Sequence, residues 1–242
     1  MKKALLITAL IPVFTSMLSA QPEQETRIPL IGEKAPVFKA ESTKGLINFP
    51  DDYFGKWKIL FSHPADFTPV CSTELLELAA MQEEFSKLNT QLVVISVDGK
   101  NSHIEWVKSL EEIRYKGRET PEIDFPLVAD PNLQISKSYG MIHPNSSSTR
   151  DVRGVFIIDP DNKIRAIFFY PMATGRNIDE IKRTLVAMQL SDKLNVFTPA
   201  NWQPGQDVLL PAPATKQDAD RRAEDRDSRL SSLDWYIWFM KL

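Results

Sequence analysis

The chain has 242 residues, 43% of them apolar, with 29 Lys and Arg against 32 Asp and Glu and a formal net charge of -3. That profile excludes a disordered or collagen-like chain, and its acidic balance gives no electrostatic footprint for nucleic acid. A single cysteine, Cys71, and three scattered histidines, His63, His103 and His143, exclude an intramolecular disulfide and the usual zinc spacings, so neither a metal nor a cofactor is expected.

Met1 to Lys3 form a basic start, Ala4 to Leu18 a nearly unbroken apolar run, and Ser19-Ala20 a pair of small residues ahead of polar Gln21 to Glu25. This order reads as a secretory signal peptide over residues 1–20. A membrane anchor is the competing reading, but the run is interrupted by Pro12 and falls short of the roughly 20 residues that cross a bilayer. A buried first strand is the third. Leu18 stands where a small residue is expected before the cut. The expectation is an exported protein, periplasmic or extracellular, with no stable membrane insertion; the alternative is a cytoplasmic chain whose leader is not used.

Trp57 to His63 reads as a buried strand, followed by a helix in which Leu75, Leu78, Met81, Phe85 and Leu88 share one face. Gln91 to Val97 is a second strand. Ser102-His103-Ile104-Glu105 has the capping-box form ahead of a helix with Ile104, Val107, Leu110 and Ile113 inward. Phe125 to Ala129 and Arg153 to Asp159 are further strands, and the turn Pro160-Asp161-Asn162 makes a hairpin with Lys163 to Tyr170. Asn177 caps a last helix carrying Ile178, Ile181, Leu185 and Met188. Strand and helix in alternation, closing on a hairpin and a helix, predict an α/β domain over 28–190 with a mixed sheet covered by helices on both faces.

Segment 191–242 differs. Thr198 to Pro213 is rich in Pro, Asn and Gln, Lys216 to Arg229 is densely charged, and the end is Leu233-Asp234-Trp235-Tyr236-Ile237-Trp238-Phe239-Met240. An end this aromatic either folds back on its own domain or packs on a second subunit. The second reading is preferred, since an appendage after a complete domain has little core to join.

The chemistry concentrates in His63-Pro64-Ala65-Asp66-Phe67-Thr68-Pro69-Val70-Cys71-Ser72-Thr73-Glu74. Thr68 suits an N-cap and Pro69 the first helical position, which puts Cys71 in the first turn of a helix, at the positive end of its dipole, where a thiolate is favoured. A lone cysteine is by itself as well read as an inert core residue. Its place after a strand end and a Thr-Pro turn is where sites sit in open α/β sheets. The nine glycines are too widely spaced for G-x-G-x-x-G, Walker A or G-x-S-x-G sites.

Pro64-x-x-x-Thr68-x-x-Cys71 resembles the active-site signature of the peroxiredoxins, and the wider run resembles their one-cysteine branch. Val152 to Asp159, Tyr170-Pro171-x-x-Thr174-Gly175-Arg176-Asn177 and Thr198 to Trp202 extend the likeness over about residues 28–210. The resemblance implies a thioredoxin-like fold with a C-terminal peroxiredoxin domain, used for dimerisation or higher assembly. It implies that Cys71 is the peroxidatic thiolate, that Thr68 and Arg153 bind the peroxide, and that Pro64 shields the site. Glu74, Arg176 and His63 are secondary candidates. The product would be a sulfenic acid reduced by an external thiol, since the chain has no second cysteine. Where some one-cysteine relatives carry Gly-Asp-Ser-Trp-Gly, associated with phospholipase activity, this chain reads Gly55-Lys56-Trp57-Lys58, so no lipid hydrolysis is expected. Two other classes compete: a thioredoxin-fold binding or holdase protein with an inert Cys71, and a cysteine hydrolase using His63 as base.

Overall fold

The computed structural model describes residues 27–242; the expected signal peptide, 1–20, lies outside the described residues. The chain runs β1 (Phe38–Ser42), β2 (Gly45–Phe49), β3 (Trp57–Ser62), α1 (Pro69–Lys87), β4 (Thr90–Ser96) and α2 (Lys100–Glu111). A short hairpin of β5 (Arg114–Tyr115) and β6 (Arg118–Glu119) precedes β7 (Leu127–Ala129), α3 (Gln134–Ser138), β8 (Arg153–Ile158), β9 (Ile164–Tyr170) and α4 (Ile178–Leu194). The last part holds β10 (Val208–Leu209), α5 (Lys216–Glu224), β11 (Leu230–Asp234) and β12 (Ile237–Met240).

Seven strands make one mixed sheet in the order β2-β1-β7-β4-β3-β8-β9. At its centre β3, β4 and β7 are parallel, and β8 lies antiparallel beside β3. Parallel neighbours need a long return over a sheet face, which α1 and α2 supply. The central strands are apolar at nearly every position because both faces are covered. Ile59, Phe61, Leu92, Val94, Val155 and Ile157 pack with α1, α2 and α4. Leu60, Val93, Ile95, Phe156 and Ile158 alternate with them and pack with Ile135 of α3 and with Ile47 and Phe49 of β2. The cover is therefore on both faces but unequal, since α3 is only 5 residues long.

Several expectations shift. Helix α2 starts at Lys100 with Gly99 as its N-cap, so Ser102 and Glu105 do not form a capping box. Of the expected stripe Ile104, Val107, Leu110 and Ile113, Leu110 is buried and Val107 packs half-buried against the core, but the buried face is centred on His103, Trp106 and Leu110, and Ile113 lies past the helix, exposed. The two stripes share Leu110 and differ over the first turns, where the observed face buries an indole, a larger apolar body than an isoleucine. The hairpin β1–β2, the hairpin β5–β6 and α3 have no expectation behind them. The cap of α4 is as expected: the Asn177 side chain accepts from Glu180 N at 3.2 Å. The β8–β9 hairpin pairs Arg153 with Tyr170 and Ile158 with Ile164.

Helix α4 runs past residue 190, and Trp202 and Val208 pack against its Ala187 together with Val196. Strand β12 pairs with both β10 and β11. The aromatic end thus forms part of a small sheet of its own, with Trp238 at 9% exposure, while Trp235 at 61% and Leu233 at 77% face outward. Among the described residues, no helix is long and apolar enough to cross a membrane.

Asp151, just before β8, is fully buried, and neither carboxyl oxygen has a hydrogen-bond partner. Burial pushes its pKa well above the ordinary value; the neighbouring Ser136 hydroxyl partly offsets this, and Asp130 and Asp98 reinforce it. The folded chain therefore holds a proton there that the unfolded chain gives up above pH about 3.9, so this group's contribution to stability is lost as pH rises through the folded value. Asp151→Asn is expected to raise stability at pH 7.5, because the amide needs no proton held in the folded state. The gain should shrink toward pH 4, as read by urea unfolding at both pH values; equal stability at pH 7.5 would count against the assignment.

Candidate active site

Strand β3 ends at Ser62 and delivers the chain to a loop, His63 to Thr68, that turns into α1. Thr68 is the N-cap residue and Pro69 opens the helix, but the Thr68 side chain does not cap. Its hydroxyl instead donates to Ala65 O at 2.9 Å, while Thr68 O accepts from Ser72 N and Ser72 Oγ, both at 2.9 Å. Cys71 lies in the first turn and is 0% exposed. Pro64 is buried in the same loop.

Two guanidinium groups reach this turn from other elements. Arg153, the first residue of β8, arrives because β8 is the antiparallel neighbour of β3. Its Nη1 lies 3.3 Å from Cys71 Sγ and donates to Glu74 Oε2 at 2.8 Å. Its Nε and Nη2 donate to Met172 O at 2.9 and 2.5 Å, which fixes the plane of the fork. Arg176, in the turn before α4, donates through Nε to Glu74 Oε1 at 2.9 Å and through Nη2 to Glu74 Oε2 at 2.7 Å. Its Nη1 donates to Ser62 O and Gly154 O, both at 2.8 Å. A Cβ at Gly154 would come within 3.0 Å of Ser62 Oγ and 3.1 Å of the Phe169 ring, so glycine lets β8 lie this close.

Glu74, three residues after Cys71, shares its helix face and takes both arginines; its side chain is 2% exposed, against 3% for Arg153 and 0% for Arg176. Two cations against one carboxylate leave one positive charge over, and Arg153 aims it at Cys71 Sγ. With the helix N-terminus, the arrangement sets positive charge against the sulfur and against any oxygen brought to it. Arg176, a secondary candidate by sequence, makes more bonds to Glu74 than Arg153 does.

His63 is buried and neither ring nitrogen has a hydrogen-bond partner; Nε2 is 3.6 Å from Asp66 Oδ1. Burial, then the charges of His103, Arg176 and Arg153, hold its pKa well below the ordinary value. Sequence reasoning missed Asp66 and the second imidazole, which pair in the core. His103 Nδ1 donates to Asp66 Oδ2 at 2.8 Å and Nε2 donates to Val128 O at 3.1 Å. The signal for the pair is the spacing of His103 and Trp106 on one helix face, and the capping-box reading of Ser102 to Glu105 obscures it. Among the described residues, His63, Asp66 and His103 have the spacing of metal ligands, with donor atoms within 4.8 Å of one another. Asp66 is already engaged by His103, and the arginines set positive charge beside His63. A cleft of about 790 Å³ lined by Gln82, Ser86, Arg118 and Asp124 lies toward the other end of α1, away from this chemistry.

A mixed sheet in this strand order, with a buried thiol in the first turn of the helix after a central strand, is the architecture of a thioredoxin-like fold carrying a thiol site. The AhpC/TSA family model matches residues 31–167, and the model for the C-terminal domain of 1-Cys peroxiredoxin matches residues 187–226. A peroxiredoxin of Methanosarcina mazei is 52% identical over 215 residues, covering 88% of this chain and 98% of that protein. One from Aquifex aeolicus is 44% identical over 220 residues, covering 87% and 96%. Among solved structures, a yeast mitochondrial 1-Cys peroxiredoxin, described with a thiol resolving mechanism via glutathione/thioredoxin systems, is 38% identical. It superposes with a TM-score of 0.77 over 89% of this chain and 100% of its own. Peroxiredoxin 6 of Arenicola marina gives 32% identity and a TM-score of 0.77 over 88% and 98%. The chain belongs to the peroxiredoxin family, enzymes that reduce peroxides through a cysteine at the expense of thiols.

Proposed function

We propose that this chain is a one-cysteine peroxidase that reduces hydrogen peroxide and organic hydroperoxides at Cys71, in antioxidant defence. The observation that carries the reading is the 3.3 Å approach of Arg153 Nη1 to a fully buried Cys71 Sγ. The Cys71 thiolate attacks the terminal peroxide oxygen and the O–O bond breaks. Sulfur gives up two electrons and becomes a sulfenic acid, and the hydroxide or alkoxide leaves and takes a proton. Arg153 faces the position where that negative charge develops. The Thr68 hydroxyl donates to Ala65 O, which leaves its oxygen to accept from a peroxide O–H. Pro64 keeps water from the sulfur; Glu74 and Arg176 hold Arg153 in place, and His63 lines the pocket as a neutral ring.

The sulfenic acid condenses with an external thiol to release water and form a mixed disulfide, which a second thiol cleaves. Cys71 is the single cysteine in the sequence, so the chain supplies no partner sulfur. By likeness to the yeast relative, glutathione or a thioredoxin is the class of reductant. The leader argues for an exported protein. The outward Leu233 and Trp235 argue for a homodimer or larger ring built through the tail. Deleting residues 231–242 should convert the assembly to monomer or aggregate by light scattering; an unchanged dimer would exclude the tail as the interface.

The deciding experiment is the intact mass before and after one equivalent of hydrogen peroxide, with and without a thiol reductant, beside Cys71→Ser. A rapid gain of one oxygen that the reductant reverses and the variant lacks is the expected result. No gain over minutes would give the site to the binding-protein reading.

A further inference from the structure

The loop that carries Pro64 and Thr68 is held under tension. Phe67 has φ 53°, in the left-handed region that a bulky side chain rarely enters; its ring is 59% exposed and meets α2 at the Trp106 ring, 6.4 Å between centroids. Such a residue persists only where its surroundings over-determine the backbone. Before Phe67, the Asp66 carboxylate accepts from His103 Nδ1 at 2.8 Å, and Asp66 N donates to Asp98 Oδ2 at 2.7 Å. After it, Thr68 O accepts from Ser72, and Ser72 Oγ in turn accepts from Trp106 Nε1 at 3.3 Å. His103 and Trp106 are three residues apart and therefore on one face of α2. One helix thus grips the chain on both sides of the strained residue, once ahead of it and once beside Cys71. His103 is itself anchored by its Nε2 bond to Val128 O in the core of the sheet.

We propose that His103, backed by Trp106, is a positioning residue for the thiol chemistry. It holds the Pro64 to Thr68 loop, and through it the first turn of α1, in the conformation that sets Cys71 against Arg153. This rests on the reading of Cys71 as the peroxidatic cysteine. Releasing Asp66 frees the Phe67 strain into the turn, so the sulfur loses its alignment without any residue that touches peroxide being changed. Misplacements of about 1 Å cost on the order of a hundredfold in rate.

The test pairs stopped-flow oxidation by hydrogen peroxide with amide hydrogen exchange on the full chain. His103→Ala is expected to slow Cys71 oxidation on the order of a hundredfold. Exchange should quicken in the 63–75 segment while β3, β4 and β8 keep their protection, a local pattern that general destabilisation does not give. His103→Asn, whose amide takes the place of Nδ1–H toward Asp66, should recover most of the rate. His103→Gln, whose amide takes the place of Nε2–H toward Val128, should not. If His103→Ala does not fold, the Asn and Gln pair and Trp106→Phe decide: a smaller loss in Trp106→Phe with the same local exchange supports the brace. A folded His103→Ala within about threefold of wild type, or Asn and Gln variants alike, overturns the brace and leaves the reading of Cys71 standing. A wild-type chain inert to peroxide overturns both.

Discussion

Replacing Glu74 by alanine is expected to destabilise the protein by about 3–5 kcal/mol, the cost of leaving buried charges without their partner. The carboxylate takes Arg153 Nη1 at 2.8 Å, Arg176 Nε at 2.9 Å, Arg176 Nη2 at 2.7 Å and Arg176 N at 2.8 Å. With Glu74 removed, two guanidinium groups, one from β8 and one from the turn before α4, face each other in a buried site. The Ser62 and Gly154 carbonyls hold Arg176 where it is and the Met172 carbonyl holds Arg153, so neither can swing out to solvent without breaking further bonds. Glu74→Gln keeps an acceptor oxygen but sets an amide N–H against a guanidinium, and its loss should fall between wild type and alanine. Urea unfolding measures both: a fall in midpoint at unchanged slope is expected. An alanine variant within about 1 kcal/mol of wild type would mean that the arginines find other partners on relaxation.

How legible each part was follows from how local its cause is. Strands β3, β4 and β8 announce themselves because both faces are buried and nearly every residue must be apolar. The faces of α1 and α4 are legible because aliphatic residues recur at helical spacing along them. The hairpin β1–β2 is harder to see, because its apolar–polar alternation, Phe38-Lys39-Ala40-Glu41 and Ile47-Asn48-Phe49, runs over very short segments. Helix α2 misleads because its buried face includes a histidine, apolar in environment only once Asp66 and Val128 O have met both its nitrogens. The site divides in the same way. Cys71, Thr68 and Pro64 lie in one short run with their own turn chemistry. Arg153 stands 82 residues from Cys71, and only the resemblance to a family points to it; the β3–β8 pairing that brings it in is a property of the whole sheet. The Asp66–His103 bond depends on where the α2 crossover lands, which no local pattern encodes.

Arg153→Lys is expected to lower the second-order rate of Cys71 oxidation on the order of a hundredfold while leaving the fold intact, since removing one preorganised donor from a developing oxyanion costs about 3 kcal/mol. Lysine keeps a positive charge beside Glu74, and Arg176 pairs with the carboxylate in either case. What it loses is the fork. Arg153 spends Nε and Nη2 on Met172 O, and this holds Nη1 in line with both Glu74 Oε2 and Cys71 Sγ. A single ammonium on a flexible stem can answer Glu74 or the sulfur, but it has no rigid plane to be locked by the Met172 carbonyl. The expected signature is a large fall in peroxide rate with an unchanged unfolding midpoint, by stopped-flow and urea titration on the same preparation. Arg153→Met should fall further in rate, because it removes the positive charge as well as the fork, while Arg176 still pairs with Glu74. A lysine variant within about threefold of wild type would show that charge alone, without the fixed geometry of the guanidinium, is enough to drive the reaction.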